Sequence, residues 1–151
     1  AGVPMVGICF GHQIIAQALG GRVEKFADGW SAGHRRYRIG GREVALFAWH
    51  QDQVVDLPPG ATVLGDNAFT RNAVLAHGDR ILTVQPHPEF PPTVIEALIE
   101  NRPTTVPGEM LTKARADLTQ PVDSAMMGDW LADVLQGAPA TRIPFAQQVR
   151  A

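Results

Sequence analysis

The sequence predicts an α/β domain with a mixed central sheet and flanking helices. Three observations carry that prediction. A short continuous apolar run, Val3 to Ile8, passes directly into a segment with helical apolar spacing. Several β-type runs separated by glycine-rich turns fill the middle of the chain, and after residue 92 the pattern becomes helical.

The elements follow in order. "VPMVGI", residues 3 to 8, suits a strand buried on both faces, so it is expected at the centre of a sheet. "HQIIAQALGG" places apolar residues at 14, 15, 18 and 19, one face of a helix, and Gly20 and Gly21 supply its stop. β-Type runs then occupy 22–26, 34–39 and 43–50, with Gly40 and Gly41 as a hairpin turn between the last two. "LPPGA" reads as a turn, and strands are expected at 73–76 and 81–85, joined tightly through "HGDR". Helices are expected at 93–101, at 108–118 and within "DSAMMGDWLADVLQG", where Asp123 is placed to cap and Gly137 to terminate. Residues 138–151 read as a tail.

With 151 residues, the chain is long enough for one core and short for two. A composition of 45% hydrophobic and 19% charged residues, with a net charge of −2, describes a globular protein without the basic surface that nucleic acid requires. No apolar run approaches the roughly 20 residues of a bilayer span. The lone cysteine excludes an internal disulfide, so a cytoplasmic location is expected.

That cysteine lies in "GICFGHQ". Gly7-Ile8-Cys9-Phe10-Gly11 has the form Gly-x-nucleophile-x-Gly at a strand-to-helix junction, where a strained turn exposes the nucleophile and small neighbours let strand and helix pack closely. A thiol at a helix N-terminus gains thiolate character from the unsatisfied amides, and the Phe10 N–H would point at a developing oxyanion. By itself the residue equally fits a small apolar side chain closing a core strand. A redox sensor would lack a second cysteine to resolve a sulfenic acid.

The base candidate lies in "QPHPEF". Proline at 86 and 88 biases Gln85 and His87 toward extended backbone, and residues two apart in an extended segment share a face. His87 and Glu89 are therefore expected to meet, the carboxylate fixing the imidazole's tautomer. Separately, His87 also reads as an ordinary loop histidine and Glu89 as a solvated carboxylate at a helix start. None of His12, His34, His50 and His77 has the spacing of a metal ligand set, and neither a metal nor another cofactor is expected.

Together "GICFGHQ" and "QPHPEF", their Cys9 and His87 78 positions apart, resemble the class I glutamine amidotransferase family over roughly residues 3–103. The stretches "GICFGHQIIAQALGGRVEK", "AWHQDQVVDLPPGA" and "LTVQPHPEF" are similar to the stand-alone members that look like the amidotransferase domain of GMP synthase. The resemblance implies a flavodoxin-like fold. It also implies that Cys9 attacks the side-chain amide of glutamine, that His87 serves as acid and then base, and that Glu89 orients His87. Phe10 would supply an oxyanion-hole N–H, and Gln13, Trp49 and His50 would contact the substrate. Gln13 could equally be structural, and Trp49 and His50 an ordinary strand end. The partners implied are glutamine and a separate synthase or ammonia-acceptor subunit.

The expected organisation is one domain over 1–151, with 1–103 as its catalytic part, 104–137 as C-terminal helices and 138–151 as the tail. Family domains carry about three strands and a glycine-rich oxyanion loop before the elbow. The chain is accordingly expected to be the C-terminal portion of such a domain, a poor glutaminase by itself, losing on the order of 10²-fold from half an oxyanion hole. Two other functions fit the same residues: a γ-glutamyl hydrolase acting on γ-glutamyl amines or peptides, and a catalytically silent regulatory or interaction domain.

Overall fold

The computed structural model describes residues 2–101, 104 and 106–146. Its elements are β1 (Met5–Ile8), α1 (Phe10–Ala18), β2 (Arg22–Lys25), β3 (Ser31–Ile39), β4 (Arg42–His50), β5 (Asp52–Asp56), β6 (Ala61–Asp66), β7 (Val74–His77), β8 (Ile81–Val84), α2 (Pro92–Asn101), α3 (Gly108–Ala116) and α4 (Ser124–Leu135). Six strands form one mixed sheet in the order β1-β8-β7-β6-β3-β4, and β2 pairs with β5 in a separate antiparallel ribbon. Among the described residues only β1 and β8 run parallel; the β3/β4 and β7/β8 pairs are the expected hairpins.

Strand alternation sorts the core into two faces. Val44 and Leu46 of β4, with Val74 and Ala76 of β7, pack on one face against Met127, Trp130, Leu131 and Val134 of α4. Their neighbours in sequence point the other way. Phe47 joins Ile95 and Ile99 of α2 and Leu111 of α3, while Leu75 joins Ala16 of α1 and Val54 of β5. The sheet curls strongly enough for Phe47 of β4 to form an antiparallel bridge with His87, just past β8.

Several expectations need correction. Among the described residues β1 lies at the end of the sheet: β8 pairs with one of its sides, and Met5 is 45% exposed. β5 and β6 were not foreseen. They flank the "LPPGA" turn, and the polar residues at their ends, Asp52, Asp56 and Asp66, mask the strand pattern. β3 starts three residues earlier than expected because Ser31, Ala32 and Gly33 continue the ladder with β4.

Asp123 occupies the N-cap position of α4 but makes no capping hydrogen bond. Its carboxylate accepts from the Ala45 N–H at 2.8 Å and its own N–H donates to the Ala45 carbonyl, tying α4 to β4. The other end is as expected: Gly137, at φ 103°, donates to Val134 and Ala138 donates to Asp133, a Schellman stop. The described part of the expected tail packs on the core, with Ala140 buried and Phe145 edge-on to Trp130 at 5.5 Å. Residues 147–151 of that tail, and positions 102 and 103 at the expected boundary, lie outside the described residues.

Candidate active site

The register of β1 and β8 brings the two motifs together. Ile8 pairs with Val84, and the Cys9 N–H donates to the Val84 carbonyl at 2.8 Å, so Cys9 and Gln85 leave adjacent strands side by side at their C-terminal ends. This is where sites collect in open α/β sheets.

Cys9 is the one non-glycine residue with positive φ among the described residues, at φ 48° and ψ −100°. Such backbone strain costs on the order of 1–3 kcal/mol and persists only where its surroundings enforce it. Gly7 is part of that enforcement. A Cβ there would lie 2.7 Å from the Gly11 carbonyl oxygen and 2.7 Å from Ile15 Cδ1, so strand and helix approach closely only because position 7 has no side chain. Gly11 differs from the expectation: a Cβ there meets nothing within 4 Å. Phe10, 71% exposed, opens α1, and its N–H has no acceptor within the helix.

His87 is 8% exposed and hangs from β4 through its N–H to the Phe47 carbonyl, 2.8 Å. Its Nδ1 lies 2.7 Å from Glu89 Oε1. The meeting was expected, but the reason is different. Pro88 and Glu89 form a turn, closed by the Phe90 N–H on the His87 carbonyl, that folds the carboxylate back; the segment is not extended through Glu89. The same turn stacks Phe90 on the imidazole, with centroids 3.8 Å apart and planes 7° apart. Burial pushes the imidazole toward its neutral form, but hydrogen bonds and opposite charge from Cys9 and Glu89 outweigh it and hold the pKa at about 9.

Cys9, Gln13, Trp49 and His50 line one cavity of about 380 Å³, together with Lys25 and Asp52. Four of the seven candidate residues thus share a space. Trp49 packs edge-on to Trp30 at 6.3 Å. His50 is 4% exposed, and burial lowers its pKa to about 4, so the ring stays neutral. Gln13 has both amide hydrogens engaged, one by the Asp52 carbonyl at 2.7 Å and one by Gln85 Oε1 at 3.2 Å, which leaves its oxygen for any further contact.

His12 is buried core. Its Nδ1 meets Thr83 Oγ1 at 2.8 Å, locking α1 to β8, and burial foremost, with His77 and His50 nearby, lowers its pKa to about 3. Among the described residues no group of three or more His, Cys, Asp or Glu is placed to hold a metal ion. None of the described helices is long and apolar enough to cross a membrane.

Solved structures share this fold. A glutamine amidotransferase from Methylobacillus flagellatus superimposes with a TM-score of 0.67 over 89% of this chain and 61% of its own, at 21% identity. One from Thermotoga maritima gives 0.61 over 88% and 60%, at 23% identity. The architecture is therefore that of the glutamine amidotransferase fold.

Residues 1–103 match the family description "Glutamine amidotransferase class-I", and the chain belongs to that family. Among curated relatives, gamma-glutamyl peptidase 5 of Arabidopsis thaliana is 30% identical over 110 residues, covering 64% of this chain and 44% of the relative. The glutamine-hydrolyzing GMP synthase of Thermobifida fusca is 40% identical over 99 residues, covering 58% and 18%. The chain spans less than half the length of these relatives.

Proposed function

We propose that this chain carries the nucleophile, base and orienter of a glutaminase that hydrolyses the side-chain amide of glutamine through Cys9. The observation that carries the reading is the buried imidazole of His87, its Nδ1 2.7 Å from Glu89 Oε1, on the chain leaving β8 beside the strand that delivers Cys9. The Cys9 thiolate attacks the amide carbon, and the oxyanion that forms is met by the Phe10 N–H. His87 gives its proton to the departing nitrogen, the C–N bond breaks, and ammonia leaves a γ-glutamyl thioester. His87 then takes a proton from water as the water oxygen attacks, the thiolate departs, and glutamate is released. Glu89 keeps the imidazole oriented throughout, and Gln13, Trp49 and His50 form the wall against which the amino-acid end rests. The ammonia goes to a separate synthase or acceptor subunit, in keeping with the GMP synthases among the relatives.

A second reading has its own support in the similarity to a gamma-glutamyl peptidase. The same three groups would cleave γ-glutamyl amines or peptides, with an amine in place of ammonia. Labelling with a glutamine-shaped alkylator tests the shared chemistry: Cys9 of the full-length protein should react, Cys9→Ser should not, and glutamine should protect. No labelling at Cys9 would sink both readings. Comparing rates on glutamine with those on γ-glutamyl dipeptides then decides between them.

A further inference from the structure

Gln85, in the "QPHPEF" segment, has no part in the mechanism above, yet it is fully buried against the nucleophile. Its Nε2 lies 3.6 Å from Cys9 Sγ, and its Oε1 accepts from Gln13 Nε2 at 3.2 Å. Gln13 Nε2 also donates to the Asp52 carbonyl at 2.7 Å. A side-chain amide can face either way, but here the direction is set from one end. A backbone carbonyl only accepts, so the group Gln13 turns toward Asp52 must be its NH₂. The second hydrogen of that NH₂ then requires an acceptor, which is Gln85 Oε1. Gln85 is left with its own NH₂ toward the sulfur.

We infer that Gln85 is a built-in donor to Cys9 Sγ, its amide polarity fixed from the Asp52 carbonyl through Gln13. A donor at this place restrains the half-buried sulfur and meets its negative charge from a side chain that is itself fully buried. Cys9 thereby has a neutral N–H partner whose direction does not depend on the charge of His87. The inference rests on Cys9 acting as the nucleophile proposed above.

The test is the rate of Cys9 alkylation by iodoacetamide at pH 7 in the full-length protein, followed as the mass of the modified peptide. Gln85→Met removes the donor at similar length and should slow the reaction about tenfold, the size expected for losing one hydrogen bond to a charged sulfur. Gln85→Glu keeps the volume and still accepts from Gln13, but as a carboxylate it has no hydrogen to give the sulfur. A donor role makes it at least as slow as Gln85→Met. Gln13→Leu frees the Gln85 amide to turn and should cost about threefold, and iodoacetamide reads this without any substrate contact. On glutamine, kcat should fall in Gln85→Met with KM unchanged within about twofold.

Gln85→Glu alkylated at the wild-type rate would overturn the inference. Should that variant fail to fold by circular dichroism, Gln85→Met decides by the same rate. A wild-type protein whose Cys9 alkylates quickly but which hydrolyses no γ-glutamyl substrate would defeat the proposed function and leave this comparison intact. An active glutaminase whose Gln85 variants alkylate like wild type would defeat the role of Gln85 alone.

Discussion

The two glycines around Cys9 look alike in sequence and should respond in opposite ways to the same substitution. In Gly7→Ala the new methyl would sit 2.7 Å from both the Gly11 carbonyl oxygen and Ile15 Cδ1, against about 3.5–4.0 Å for an ordinary contact, so roughly 1 Å must be found. The end of Ile15 can rotate away; the carbonyl is backbone and moves only if α1 lifts from β1. That helix is fastened by His12 to Thr83 at 2.8 Å and by Gln13 to the Asp52 carbonyl at 2.7 Å. Overpacking of this kind costs about 1–3 kcal/mol. For a chain of 151 residues each kcal/mol moves Tm by about 2–4 °C, so a fall of roughly 2–12 °C is expected. Gly11→Ala places its methyl in open space in the first turn of α1 and removes a glycine from a helix, a gain of up to about 1 kcal/mol. Its Tm should hold or rise. Scanning calorimetry of both variants beside wild type reads the difference. A Gly7→Ala protein melting within about 1 °C of wild type, or a Gly11→Ala protein falling as far as Gly7→Ala, would refute the argument that strand and helix meet through position 7.

In Glu89→Gln the titration midpoint of His87, followed by NMR, should drop from about 9 toward 6.5. Because the Glu89 side chain is 42% exposed and screened by water, the drop should be roughly one unit; a midpoint still near 9 would mean that Cys9 alone holds the imidazolium. The fold raises this pKa above 6.5, so the contribution of His87 to stability is complete below pH 6.5 and is lost as pH rises through about 9. Glu89→Gln should therefore destabilise at pH 6 and have little effect at pH 10, as urea unfolding at the two pH values would show. His12 and His50 have the opposite sign. Held at about 3 and 4, they add a stability present above pH 6.5 and lost as pH falls toward those values, up to about 1.4 kcal/mol per pH unit for each ring. Their ring resonances should stay in the neutral form from pH 8 to 5, and a midpoint near 6.5 for either would contradict its burial.

The parts of this fold that were legible in the sequence are those written in local spacing. Gly7, Cys9 and the apolar positions 14, 15 and 18 state a strand, a strained turn and a helix without reference to anything distant. Gly137 states a helix stop in the same way. What stayed hidden depends on partners. A run such as "VPMVGI" records that its side chains prefer apolar company, but which strand lies beside β1 is decided by pairing, and among the described residues it is β8. "DQVVD" carries its apolar residues between charged ends, so β5 becomes a strand only because β2 lies against it. His87 and Glu89 meet through a turn rather than along extended backbone, since two prolines announce a restricted segment without saying that it will turn. Phe90, three residues after His87, carried a possible signal in that spacing. Gln85 carried none: its link to Cys9 spans 76 positions and exists only through the register of β1 with β8.

The bridge between Phe47 and His87 gives the curl of the sheet a mechanical meaning. The thiol follows β1, at one margin of the sheet, while the imidazole, carried on the chain that leaves neighbouring β8, is also fastened to β4 at the other margin, so its orientation depends on how tightly the intervening strands roll. α4 clamps one face of that roll through Trp130 and Leu131, well away from the chemistry. Loosening the clamp would strain the Phe47–His87 bond and let the base, still carried on the chain leaving β8, turn against the nucleophile while every strand remained paired. Thiol reactivity in this protein would then act as a strain gauge, registering slack in the distant packing before any spectroscopic sign of unfolding.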